Sequence, residues 1–346
     1  MKKTDILFSR RQFLKVLSAG IGTGALAAGG LWRWHSLFPM SVVQKTRPLL
    51  GTFITITVHD PDEAMAEKAI EYAFAAIEMV DRVMSIHRSD SDLSRVNAAA
   101  GNDMVSVDPS LIDILKMTQQ FHGLTGGVYD VTCLPLMQLY GFYQSQTENL
   151  SYPSDRKIYE ILSVIGQKQI TLDEKSNRMG LAHAKAGIDL GSIGKGYAVD
   201  RAGDVLKSFG IKNALIDAGG NVLAMGAPHF DSNPADGYPA KGWRVAVRNP
   251  QAENKDAYFE MLTLKDEAVA TSGNYEQSLW LDGLRIGHLF DAKKGKPSDP
   301  LLSATAVAKN ATLADGLSTS TFLFGKNDAS RFEGIAKSIY YHLKES

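Results

Sequence analysis

Cysteine is almost absent: Cys133 is the single one among 346 residues. A lone thiol excludes an intramolecular disulfide and any Cys-rich zinc or iron–sulfur site, and it fits any redox compartment. An excess of charge of one sign is also lacking. Thirty-seven Lys and Arg stand against 38 Asp and Glu, a net charge of −1. Nucleic-acid binding therefore has no electrostatic footprint and is not expected. Beyond about residue 40 there is no run apolar and long enough to span a bilayer, no internal repeat and no Pro/Ser-rich linker. What remains is 44% apolar and 22% charged, an ordinary soluble composition with length enough for a sizeable core. One continuous domain over residues 41–346 is expected, behind a separate N-terminal segment, 1–40.

That segment carries Ser9-Arg10-Arg11-Gln12-Phe13-Leu14-Lys15, which has the form of a twin-arginine export signal. Val16 to Trp32 follows without a charge, rich in Gly and Ala. Such a weakly apolar stretch suits an export h-region better than a stable membrane span. Ala25-Leu26-Ala27 offers a cleavage site, while Leu31, Trp32 and Trp34 would serve a retained anchor. Both outcomes place the mature domain in the periplasm or on the outer face of the cytoplasmic membrane, with membrane association through the N-terminus in the second.

Within the domain, Thr52–Val58 alternates polar and apolar residues as a half-buried strand does. Asp60-Pro61-Asp62 opens a helix with Ile70, Phe74, Ile77, Val80 and Met84 on one stripe. A second helix runs from Asp108-Pro109 to about His122. A glycine-rich loop, Ala186 to Gly196, feeds a third, closed by Phe209-Gly210. The C-terminal half reads as strands at Asn213–Asp217, Val222–Met225, Trp243–Arg248, Met261–Leu264, Ala268–Thr271, Arg285–Phe290 and Ser303–Ala308. A last helix, Leu313–Leu323, follows with Thr312 as its N-cap. Strands and helices come in blocks, which predicts an α+β fold with antiparallel sheets packed with helices.

Four constellations carry chemistry, each with a plainer reading beside it. Asp315 and Thr319 lie four apart in Ala314-Asp315-Gly316-Leu317-Ser318-Thr319, so one helix face offers two oxygen ligands to a hard cation such as Mg²⁺. The same spacing describes a dipole-favoured Asp and a solvated Thr. Gly187-Ile188-Asp189-Leu190-Gly191-Ser192-Ile193-Gly194-Lys195-Gly196 leads into a helix N-terminus, where Lys195 can reach a phosphate. It is neither a Walker A loop nor G-x-G-x-x-G, and loops of this kind also serve as tight connections. Thr271-Ser272-Gly273-Asn274-Tyr275 and Ile286-Gly287-His288 bracket a hairpin in which His288 is a base or a structural histidine. Gly126-Gly127-Val128-Tyr129-Asp130-Val131-Thr132, with Leu139-Tyr140-Gly141-Phe142, either lines a planar-ring pocket or is a turn followed by core aromatics. Asp217-Ala218-Gly219-Gly220-Asn221 reads as a structural strand–turn–strand.

In this order, and together with Leu50-Gly51-Thr52-Phe53 and Met84-Ser85-Ile86-His87 followed by Asp90 to Asn97, these motifs resemble one family. It is ApbE, the FAD:protein FMN transferases, and the resemblance runs from about residue 47 to 325. It implies a T-fold-like α+β architecture, FAD as flavin donor, Mg²⁺ as cofactor and a threonine of another protein as acceptor, with AMP released. Carried over residue by residue, it implies Mg²⁺ on Asp315, Thr319 and Ser192, the last through backbone oxygen. FAD contacts fall at Leu50, His87, Val128, Tyr129, Asp130, Asp189, Lys195 and Ser272, and His288 becomes the candidate base. Acceptors implied are flavin-bearing subunits of redox complexes, such as sodium-pumping NADH:quinone reductase or Rnf-type complexes.

The chain departs from the family pattern in three places. Leu50 stands where members often carry Met, and Asp291-Ala292-Lys293-Lys294-Gly295 where they usually have Asp-Pro-x-Thr-Gly. Many members are lipoproteins with an N-terminal Cys; none stands there in this chain, and the twin-arginine signal is expected to take its place. Two rival functions share the motifs. An FAD pyrophosphatase would use the same site with water as acceptor and release FMN and AMP rapidly from FAD and Mg²⁺ alone. A non-catalytic flavin carrier would hold flavin stoichiometrically without needing His288 or a metal. A thiamine-related binding role rests only on an older family name.

Overall fold

The computed structural model describes residues 40–143, 150–228, 241–252, 257–275, 277–325, 331–332 and 334–342. The export-signal motif and its cleavage site lie outside the described residues. By contacts the chain divides into Met1–Met40 and Ser41–Ser346, and only the second unit concerns us. Among the described residues no helix is long and apolar enough to cross a membrane.

The principal sheet has seven strands: β1 (Ser41–Leu49), β2 (Thr52–Asp60), β3 (Asn213–Ala218), β4 (Asn221–Met225), β5 (Glu267–Ser272), β6 (Ser303–Ala308) and β7 (Ser338–His342). They lie side by side in chain order, every neighbouring pair antiparallel. The sheet is thus one meander, and everything else is inserted into its turns. Between β2 and β3 come six helices: α1 (Glu63–Met84), α2 (Asp92–Ala98), α3 (Pro109–Leu124), α4 (Leu134–Leu139), α5 (Asp155–Leu162) and α6 (Gly194–Ser208). Helix α7 (Ala311–Phe324) joins β6 to β7. The expected α+β class with antiparallel sheets is what the chain forms.

Strand periodicity decides what each face meets. On β5 and β6, Ala268, Ala270, Ala304, Ala306 and Ala308 belong to the main core, which also holds the buried stripes of α1, α6 and α7. Their neighbours Val269 and Val307 point the other way, onto the hairpin Trp243–Arg248/Tyr258–Leu264, whose Trp243, Val247, Leu262 and Leu264 cover that side. Alanine on the inner face lets α7 sit close to the sheet. Small neighbours explain why the helix is buried at Ala311, Thr312 and Ala314 to Leu323 despite its hydroxyls.

Local signals set most helix ends. Asp62 caps α1, its carboxylate accepting from Met65 N at 3.0 Å, and Asp108 caps α3 ahead of Pro109. Gly210, at φ 82°, ends α6. Two expectations need correction. The N-cap of α7 is Asn310, not Thr312: Asn310 is extended (φ −150°, ψ 164°) and accepts from Leu313 N at 2.9 Å. Thr312 is inside the first turn, its hydroxyl donating to Asp200. Arg285–Phe290 is not one strand. Leu284–Gly287 pairs with Ser278–Leu281, and Phe290–Asp291 pairs with Lys296–Pro297. The break at His288-Leu289 lets the chain pass from one hairpin to the next.

Candidate active site

The helices α6 and α7 exchange carboxylates. Asp315 of α7 sends Oδ2 to Gly196 N in the first turn of α6, at 2.9 Å. Asp200 of α6 accepts from Ala311 N at 2.8 Å, from Thr312 N at 2.9 Å and from the Thr312 hydroxyl, at the start of α7. Each helix N-terminus thus receives an acid from the other, the favourable end of the dipole. Gly196 makes the approach feasible. A Cβ there would stand 2.7 Å from Ala311 C and 2.8 Å from Asp315 Cβ, and closer still to Ala311 O.

Asp315 is 4% exposed. Burial pushes its carboxyl up to about 6, and the charge of Asp200 adds to the rise; Lys195 and the Gly196 amide pull against it. One turn on, Thr319 meets Ser272 of β5 at 3.0 Å, and Ser272 meets Ser318 at 2.8 Å. Ser272 has the same strand parity as Ala268 and Ala270, which places its hydroxyl on the face that α7 covers. Thr319, at 4% exposed, is buried with Asp315, so the reading of a solvated Thr fails.

This donor set fits Mg²⁺. It offers one buried carboxylate, raised by desolvation, next to hydroxyls, all hard oxygens; Mg²⁺ takes one or two carboxylates and keeps several waters. No group of three or more His, Cys, Asp or Glu that could hold a metal occurs among the described residues, and a sparse oxygen site needs none.

The loop before α6 brings the third candidate ligand. The Ser192 hydroxyl donates to Tyr129 OH at 2.9 Å. Asn97 of α2 clamps this loop from both sides, donating to Ile188 O at 2.9 Å and accepting from Ile188 N at 2.8 Å. Lys195 Nζ lies 3.4 Å from Gly191 O, and its charge is felt at both Asp315 and His288. His288 is half-buried, and its Nδ1 lies 3.2 Å from Gln277 O. A carbonyl only accepts, so Nδ1 carries the hydrogen and Nε2 keeps the lone pair. Burial lowers the imidazole below its usual value; Lys195 adds to the fall, whereas the Gln277 bond and Asp189 oppose it.

The remaining candidates lie in three places. His87 and Asp189 are linked through Tyr143, which the sequence reading did not single out. Tyr129 is buried against Phe121, and Val128 O accepts from Ala292 N at 3.2 Å. Asp130 is committed inside the chain: Oδ1 holds Thr132 N and Oγ1 at 2.8 and 2.6 Å, and Oδ2 lies 2.9 Å from His122 Nδ1. Leu50 sits in the β1–β2 turn at φ 53°, a conformation that bulky residues rarely adopt. Tyr140 and Phe142 prove to be core aromatics, packed with Phe290 in a second cluster that seats the His288 hairpins against α4 and α5.

The ApbE family model matches residues 50–337. The chain belongs to the ApbE family. An FAD:protein FMN transferase of Klebsiella pneumoniae is 30% identical over 302 residues, 86% of this chain and 83% of that protein. One of Vibrio cholerae is 29% identical over 290 residues, 83% of each. Among solved structures, the ApbE protein of Thermotoga maritima superposes with a TM-score of 0.76 at 31% identity, covering 88% of this chain and 94% of that one. The Pseudomonas stutzeri flavinyl transferase ApbE gives 0.75 at 28%, covering 90% and 93%. Ser318, Asn97 and Gly196 lie inside the motifs that resemble ApbE, whereas Asp200 and Tyr143 carry no local signal.

Proposed function

We propose that this chain transfers the FMN half of FAD to a threonine hydroxyl of an acceptor protein, with Mg²⁺ at the Asp315–Thr319 end of the site and AMP as departing group. The observation that carries this is the meeting of a buried carboxylate, a hydroxyl cluster and Lys195 at the N-terminus of α6, with His288 within reach of the same lysine's charge. The relatives that share this fold are named FAD:protein FMN transferases.

Asp315, Thr319 and the Ser192 backbone oxygen would hold the ion, with Ser272, itself bonded to Ser318, fixing the Thr319 hydroxyl. When bound, Mg²⁺ supplies charge neutralisation on the diphosphate and on the leaving AMP. Phosphoryl transfer is mostly positioning and electrostatics, and the chain's own groups divide that task. Lys195 and the α6 N-terminus hold the diphosphate. Asp189 and His87 hold a ring. His288, neutral at neutral pH because burial lowers its pKa, takes the proton of the incoming hydroxyl on Nε2. The threonine oxygen forms its bond to the FMN phosphorus, the phosphorus–oxygen bond to AMP breaks, and AMP leaves with the electron pair.

The acceptor is a flavin-bearing redox subunit in this reading. The twin-arginine motif of residues 9–15 supports a reaction in the periplasm or on the outer face of the membrane. The test is incubation of the purified chain with FAD, Mg²⁺ and a candidate acceptor, followed by in-gel flavin fluorescence. A fluorescent acceptor band is expected with the wild type and none with Asp315→Ala, whose far-ultraviolet circular dichroism stays unchanged. Normal labelling by Asp315→Ala would remove the metal argument.

A further inference from the structure

A cavity of about 370 Å³ opens beside Tyr143, within the size range of small-molecule clefts. Its lining includes His87, Asn97, Leu134 and Tyr143. Tyr143 differs from the aromatics that precede it. Tyr140 and Phe142 are 1% and 7% exposed, whereas Tyr143 is 41% exposed. Its backbone sits at φ 66°, in the left-handed region that a bulky residue seldom occupies unless something holds it there. Its ring meets His87 edge-on, with centroids 5.4 Å apart at 65°.

What holds Tyr143 is Asp189. The phenol donates to Asp189 Oδ2 at 2.6 Å, while Oδ1 accepts from Gly191 N at 2.7 Å. The carboxylate itself is fixed: Asp189 N bonds Val131 O at 2.8 Å, and Asn97 clamps the preceding residue. Burial and the negative charge of Asp189 push the Tyr143 phenol well above its ordinary range, so it remains a donor at any working pH. One partner of this bond is rigid; the other is exposed and backbone-strained. Both oxygens of a buried acid are therefore filled from within, one of them by a partly exposed side chain that itself lines a ring-sized cavity.

We propose that Tyr143 is a place-holder for a ring N–H donor of the dinucleotide: its phenol occupies Asp189 Oδ2 until the ring enters, then yields that oxygen and lies with His87 along the ring. The proposal rests on the reading that Asp189 and His87 face FAD. It makes Tyr143 a positioning residue, one that sets affinity by competing with the ligand for a single acceptor atom.

The test is the dissociation constant of FAD, measured by flavin fluorescence on the purified full chain for wild type, Tyr143→Phe, Asp189→Ala and the double variant. Tyr143→Phe keeps the ring and removes the competitor, so FAD is expected to bind about tenfold tighter, the fold-change of one released hydrogen bond. In the Asp189→Ala background the same substitution is expected to change nothing, because the contested oxygen is gone. Separate titrations with FMN and AMP assign the ring: the half that gains affinity in Tyr143→Phe is the one that takes Oδ2. Weaker or unchanged FAD binding by Tyr143→Phe overturns the proposal, as does an equal gain with and without Asp189. A wild type that binds no FAD overturns the site reading as well, and is told apart because no variant then gives a titration.

Discussion

Gly196→Ala separates local propensity from tertiary contact, because the two give opposite signs. Gly196 is the third residue of α6, where alanine favours the helix by up to about 1 kcal/mol. Against that, the new Cβ would lie 2.7 Å from Ala311 C and 2.8 Å from Asp315 Cβ. Neither is the far end of a flexible side chain, so α6 and α7 must part by several tenths of an ångström. Overpacking of this kind costs about 1–3 kcal/mol. The Gly196 N–Asp315 bond, to a charged acceptor, weakens as the helices separate, at up to about 1.5–3 kcal/mol. Netting the propensity gain leaves about 3 kcal/mol of destabilisation. At about 2.1 cal/mol/K per residue over a domain of roughly 300 residues, that lowers Tm by about 5 °C. Displacing Asp315 by such a margin should also cost on the order of 10-fold in transfer rate, since a full ångström can cost about 100-fold. Gly194→Ala is the internal control: one turn-neighbour away, its Cβ would find only Leu190 Cβ at 3.9 Å, so Tm should hold or rise. Differential scanning fluorimetry on both variants, with a rate assay at saturating FAD, decides the matter. If Gly196→Ala melts at or above the wild-type temperature, the helix contact does not constrain the site as argued.

Other substitutions probe the remaining parts. A lowered His288 pKa means the transfer rate should rise with pH through a midpoint below 6.5 and stay level from 7 to 8. His288→Ala should lose about 100-fold or more and flatten the acid limb; a midpoint above 7 would contradict the assignment. Asp200→Ala strips the acceptor from Ala311 N, Thr312 N and the Thr312 hydroxyl. About 2 kcal/mol of stability should be lost, readable by urea unfolding, and Mg²⁺ should bind more weakly because the start of α7 loosens. An unchanged urea midpoint would show that Asn310 alone suffices as cap.

The legible parts of the fold were those set by neighbours in sequence. The stripe from Ile70 to Met84, the caps Asp62 and Asp108 and the stop at Gly210 each depend on residues within a turn of one another, and each lies where the pattern put it. The errors share a cause. Thr312 and Asn310 are both good capping residues, and what chose between them is Asp200, 112 positions away. The alternative of a solvated Thr319 stayed open because helix periodicity cannot report that β5 and β6 cover α7 with small residues, alanines and Ser272 among them. Tyr140 and Phe142 allowed either a ring pocket or a core, and the hairpins of residues 278–297 drew both into a core, whereas Tyr143, which gave no signal of its own, faces a cavity. Order along the chain carried more than any single motif, because the chemistry-bearing turns of a meander recur in fixed sequence.

That meander also explains how weak motifs combine into one site. Strands β5 and β6 are adjacent, so Ser272 at the end of β5 and α7 leaving β6 are brought together by pairing alone. The loop before α6 needs a separate lock, since it arrives through a long insertion with no strand of its own at that point. Gly196 and the exchanged carboxylates of Asp200 and Asp315 supply it. Removing any one of the three should therefore damage the metal end of the site before it damages the sheet, whose hydrogen-bonded ladder does not depend on them.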